Sequence, residues 1–122
     1  MLPRANRLTR SGDFARVRRE GRSRAQASLV LSLAPNGTAI TRIGFAVGGK
    51  IGTAVQRNRL KRLLREAMRA HLRHVKPGYD IVIVARPGAA SSGLAEVQES
   101  LGVLLRRAGL VQDTAPSEEE RP

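Results

Sequence analysis

The chain has 122 residues, with 22 Lys and Arg against 10 Asp and Glu, so its formal net charge is +12. That length supports one small domain with a single modest core, and 41% hydrophobic residues are enough to build it. The absence of Cys excludes a disulfide framework and a thiolate zinc site, and no apolar run approaches the ~20 residues of a membrane span. The opening MLPRANRLTR has no apolar signal core, which predicts a cytoplasmic protein. The positive excess selects nucleic acid or an anionic membrane surface as partner.

Residues 1–10 are polar, basic and extended. Ser11 can cap a short helix running to about Glu20, with Phe14 and Val17 on one side and Gly21 ending it. Leu29, Leu31 and Leu33 alternate with Val30 and Ser32, a strand with one strongly apolar face. After the turn Pro35-Asn36-Gly37, Ile43, Phe45 and Val47 alternate with Gly44 and Ala46, which predicts an antiparallel hairpin of these two strands. Phe45 then belongs to the core.

Residues 53–73 read both as a capped helix and as a band of positive charge. Thr53 and Gln56 have capping-box spacing, and Leu60, Leu63, Leu64, Ala67 and Met68 form one apolar stripe. Arg57, Lys61, Arg62, Arg65 and Arg69 wind around the other side with Asn58 among them, and Glu66 is the segment's only acid. Charged helix faces are commonly just solvated, but those usually mix signs. Like charges at i,i+4 each cost a few tenths of a kcal/mol, so a single-signed face points to a polyanion lying against it. A membrane surface fits less well, because the helix has no Trp or Phe anchor.

Lys76-Pro77-Gly78 ends that helix, and residues 81–84 form a continuous apolar run expected of a strand buried on both faces. Ser91 or Ser92 can cap a last helix carrying Leu94, Val97, Leu101, Leu104 and Leu105 and closed by Gly109. Residues 111–122, with Glu118, Glu119 and Glu120, read as a disordered acidic tail after a single domain at 1–110. Helix, strands, helix, strand, helix predicts an α+β sandwich with helices packed on a small mixed sheet.

The run from Gly52 to Glu66, GTAVQRNRLKRLLRE, closely resembles the Arg-Asn-Arg signature of the bacterial ribonuclease P protein subunit. Leu2-Pro3, Asn6-Arg7-Leu8, Asp13-Phe14, Val17, Gly21, the run Arg42-Ile43-Gly44-Phe45-Ala46-Val47 and the run YDIVIVAR from Tyr79 to Arg86 match in the same order. The resemblance covers roughly residues 1–110. It implies a sheet of about four strands and a role in the enzyme that removes the 5′ leader of precursor tRNA. It also implies that Arg57, Asn58, Arg59, Lys61, Arg62, Arg65 and Arg69 bind the catalytic RNA. Phe14, Lys50 and Arg86 are the candidates for the single-stranded leader. The active site and its magnesium ions would belong to the RNA, with no cofactor held by the protein alone and no protein partner required. A general RNA-binding or ribosomal-type protein is the alternative.

Other constellations carry less. Gly48-Gly49-Lys50-Ile51-Gly52 lacks the nucleotide-binding G-x-x-x-x-G-K-[ST] order, although Lys50 stands where a helix N-terminus attracts phosphate. His71 and His74 have metal-compatible spacing but no third ligand nearby. Asp13, Glu20, Glu66, Asp80, Glu96 and Glu99 share no helical or strand spacing, so no catalytic acid pair is legible. Two departures from the family pattern stand out: Gly49 where a second basic residue is usual, and Arg18 where many members carry another aromatic.

Overall fold

The computed structural model describes residues 2–111. The elements are α1 (Ser11–Glu20), β1 (Arg22–Gln26), β2 (Leu29–Pro35), β3 (Arg42–Val47), α2 (Ala54–His71), β4 (Tyr79–Ala85) and α3 (Leu94–Arg107). The predicted acidic tail lies outside the described residues except for Val111, which is half-buried against the core.

One mixed sheet has the order β1-β2-β4-β3. The predicted hairpin of β2 and β3 does not form. Instead β4 enters between them, antiparallel to β2 and parallel to β3. The reason is burial: Ile81, Val82 and Ile83 are all fully buried, and only a central position covers both faces of such a run. The hairpin partner of β2 is β1, whose sequence RSRAQ has no apolar alternation and is held through main-chain pairing at the sheet edge. Its two-residue turn places Ala27 at a φ of 53°, without the Asn-Gly or Asp-Gly pair that announces such turns.

The helices cover both faces. On one side α2 and α3 pack Leu60, Leu64, Met68, Leu101, Leu104 and Leu105 over Leu31, Ile43, Ile81 and Ile83. On the other, α1 sets Val17 against Leu8, Ala34 and Val82. α2 begins as the sequence predicts: Gln56 N–H donates to Thr53 Oγ1 (3.2 Å), and Thr53 N–H donates to Gln56 Oε1 (2.8 Å). It ends at His71 and tightens into a 3₁₀ turn over Leu72–His74.

The predicted cap of α3 needs correction. Ser91 and Ser92 belong to the end of a 3₁₀ turn, Pro87–Ser91, and the helix starts after Gly93, whose N–H donates to the Glu96 carboxylate (3.0 Å). Gly109 closes it at a φ of 75°, with Leu110 N–H donating to Leu105 O (2.9 Å).

Candidate nucleic-acid interface

The polar side of α2 is set by its own periodicity. With Leu60, Leu64, Ala67 and Met68 buried, Asn58, Arg62, Arg65 and Arg69 are left exposed and Lys61 half-buried. Lys61, Arg62 and Arg65 make no hydrogen bond or ion pair with any described residue. They are free cations on a rigid rod.

Arg57, Arg59, Arg69 and His71 instead have internal partners. Arg57 donates to Gly52 O (2.8 Å), holding its guanidinium against the loop before the helix. Arg59 turns away from the band and donates to Ala90 O (3.2 Å) and Ser92 O (3.0 Å), fastening the turn ahead of α3. Arg69 pairs with Glu66 at 2.7 Å, and this hydrogen bond and charge hold the Glu66 carboxyl below the usual range. His71 Nε2 lies 2.9 Å from Gln98 O, tying α2 to α3.

One depression adjoins this surface, and another lies on the α1 side of the sheet. The first, about 240 Å³, has a floor of Leu8, Phe14, Ile43 and Phe45 and a rim that includes Arg7, Lys61 and Arg65. The second, about 350 Å³, lies beside α1 over the sheet and is lined by Arg18, Ser23, Val30, Ser32, Val84 and Arg86. Phe14 and Arg86, grouped by the sequence as leader candidates, therefore line different depressions, and Lys50 lines neither. Phe45 is half-buried: it packs against the main core and also borders the first depression.

One set of residues was missed in the sequence. Asp80 is fully buried, and its carboxylate accepts from Arg42 Nε (2.8 Å), Arg42 Nη2 (2.7 Å), Asn36 Nδ2 (2.9 Å) and the Arg16 guanidinium. Burial is the largest influence and opposes ionisation. The hydrogen bonds from Arg42 and Asn36, with the charges of Arg42 and Arg16, outweigh it and hold Asp80 below the usual carboxylate range. Asp13 reaches the same arginines at 3.9 and 3.7 Å, so two acids without shared spacing do meet. They meet across guanidinium groups, as an anchor of α1 to the sheet. The signal in the sequence was an Asp leading an apolar run; that Arg42 stands beside it follows only from the β3–β4 register.

The sequence profile of the Ribonuclease P family matches residues 2–109. The ribonuclease P protein component of Herpetosiphon aurantiacus is 39% identical over 121 residues, covering 98% of both chains. That of Roseiflexus castenholzii is 42% identical over 112 residues, covering 91% of this chain and 92% of the other. The chain belongs to the ribonuclease P protein family. The solved RNase P protein of Staphylococcus aureus superposes with a TM-score of 0.81 at 32% identity, over 89% of this chain and all of that one. A ribonuclease P protein is the protein subunit of an RNA-containing enzyme, so the free cations of α2 stand in a chain whose partner is ribonuclease P RNA. Among the described residues no helix is long and apolar enough to cross a membrane.

Proposed function

We propose that this ribonuclease P protein binds the catalytic RNA through the polar side of α2 and the 5′ leader of precursor tRNA along the α1 side of the sheet, assisting endonucleolytic release of the mature tRNA 5′ end in the cytoplasm. The observation that carries the reading is the set Lys61, Arg62 and Arg65, exposed or half-buried on a capped helix and paired with no acid among the described residues. Each such cation placed on a phosphate releases condensed counterions, so it favours close approach of RNA strands that otherwise needs magnesium. Asn58 and Arg69 extend the contact, and Arg57 reaches it from the helix start. Arg59 supports it mainly by holding the adjoining turn.

For the leader, Phe14 supplies a ring, and Arg18 and Arg86 supply guanidinium groups across the second depression. Stacking and charge bind single strands without demanding a sequence, which suits a leader of variable sequence. Lys50, exposed in the loop before α2, is a phosphate contact nearer the catalytic RNA. The reaction's magnesium is assigned to the RNA. No three His, Asp or Glu converge among the described residues, whereas such a hard cation takes several oxygen ligands. No further protein partner is needed for cleavage in this scheme.

The test is reconstitution. The protein is expected to restore precursor tRNA cleavage by the cognate RNA subunit at low magnesium and to cleave nothing alone. Cleavage by RNA-free protein, abolished by a point substitution, would overturn the assignment of chemistry to the RNA.

A further inference from the structure

The sheet edge opposite β3 is made by β1, and its main-chain donors and acceptors are used unequally. Resting on the RNA-binding reading above, we propose that this edge binds the phosphate backbone of a double-helical segment of the catalytic RNA, apart from the segment held by α2.

The register shows which groups face out. Gln26 and Leu29 close the two-residue turn as a hydrogen-bonded pair, and such pairs alternate with unbonded ones along an antiparallel ladder. Arg22, Arg24 and Gln26 therefore pair with β2, while Ser23 and Ala25 turn both N–H and C=O away from the sheet. Ser28 O accepts from Arg86 N–H (2.8 Å) on the β4 side, as that alternation requires.

Both outward carbonyls are already occupied. Arg24 Nη1 donates to Ser23 O (2.8 Å), and Arg107 Nη1, from the end of α3, donates to Ala25 O (2.8 Å). The outward N–H groups of Ser23 and Ala25 donate to no described residue. The edge thus offers two donors about 6.8 Å apart, with a guanidinium on each neighbouring acceptor. Exposed Arg22 adds a third cation. No acid stands in β1 or between residues 100 and 111, and Glu20, ahead of β1, is paired with Arg19 at 3.1 Å.

This pattern selects the occupant. A neighbouring strand, from a second copy or another protein, must place its own N–H groups on the edge carbonyls, and here a cation stands on each. A phosphate backbone brings acceptors and the complementary charge, repeated at a spacing comparable to that of the two N–H groups. Single-stranded RNA binds best where its bases stack on rings, and RSRAQ has no aromatic or large apolar side chain. A double helix turns its bases inward and presents its backbone, which is what this edge matches. Lys61 and Arg65 border the opposite, β3 edge, so a second segment of the catalytic RNA reaches β1 without displacing theirs.

Ala25→Pro removes one outward N–H and leaves the β2 ladder and every charge in place, a change that an edge strand tolerates. It should weaken binding of the full-length protein to the cognate catalytic RNA about tenfold at an unchanged salt slope, because a neutral donor releases no counterion. Arg22→Ala should instead lower that slope by up to about one unit. Normal affinity and slope in both variants overturn the proposal. If Ala25→Pro melts early, the ¹⁵N-labelled wild type decides. Its Ser23 and Ala25 amides should exchange freely with solvent, and a short RNA duplex should shift and protect them more than an oligouridylate of equal charge. Equal effects of the two RNAs, or none, overturn the proposal. So does a variant loss confined to precursor tRNA, or self-association of the wild type that Ala25→Pro abolishes. Reconstituted cleavage with normal RNA affinity in the edge variants refutes the edge alone, and protection of Ser23 and Ala25 by the duplex without reconstitution refutes the proposed function alone.

Discussion

The two faces of the sheet differ in what they bury. Under α2 and α3 the interior is almost wholly aliphatic, with Leu31, Ile43, Leu60, Leu64, Ile81, Ile83, Leu101 and Leu104 all nearly or fully buried. Under α1 only Leu8, Val17, Ala34 and Val82 form the buried apolar cluster, beside Asp80, its arginines and the depression lined by Arg18 and Arg86. The contrast is one of packing: the aliphatic face buries most of the apolar side chains, and the thinner face leaves polar side chains and an aromatic ring at open depressions. α2 takes part in both because a 3.6-residue period lets one helix put leucines into the core and cations into solvent.

The comparison can be broken most forcefully on the aliphatic side. Leu64→Ala is expected to destabilise the fold by about 4 kcal/mol, high in the ~2–5 kcal/mol range for buried leucines because the side chain is fully enclosed. Urea unfolding measures it, and a loss below about 1 kcal/mol would mean that this face is not the stability reserve.

Next in size is the ion cluster of the thinner face. Asp80→Asn should cost about 3 kcal/mol at neutral pH, at the low end for a broken buried pair, because Arg16 and Arg42 remain partly exposed and can turn to water. The native carboxyl is held below the usual range while the unfolded one takes up its proton near pH ~3.9. The unfolded chain therefore binds more protons in that window. The Asp80 contribution is complete above it and is lost as pH falls through the native pKa. Unfolding curves at pH 7 and pH 3 should show wild type and variant converging in acid; a gap that widens there would contradict the cluster's sign.

Phe14 probes whether the thinner face binds or merely packs. Phe14→Ala is expected to weaken holoenzyme binding of precursor tRNA by about 1–3 kcal/mol and leave mature tRNA nearly unchanged. A melting loss equivalent to about 3–5 kcal/mol, with equal effects on both tRNAs, would make the ring structural.

The smallest stability effect belongs to the free cations. Lys61→Ala and Arg65→Ala should each lower the salt slope of catalytic-RNA binding by up to about one unit while changing stability by no more than about 0.5 kcal/mol. Arg59→Ala should differ, affecting stability more and salt slope less, since its guanidinium holds Ala90 O and Ser92 O. Equal salt slopes for all three variants would erase the distinction between free and engaged arginines.

Local sequence determined the pieces. Thr53 with Gln56 and the leucine period define α2, the unbroken run at residues 81–84 defines a doubly buried strand, and Gly109 ends α3, because capping, helical period and positive φ all act within a few residues. The residues from Gly52 to Glu66, with their flanks, also carried the family. Tertiary structure alone decided which strand lies beside which: apolar alternation specifies a face but not a neighbour, so β4 displaced β3 from β2 and the silent RSRAQ became an edge strand. It also decided the roles of the charges. Arg59 and Arg65 are indistinguishable as letters, yet one meets carbonyls 31 and 33 residues away and the other meets none among the described residues. Asp80 likewise became an anchor only when Arg16, Asn36 and Arg42 were brought to it from three other segments, since partners so far apart in the chain are chosen by the fold.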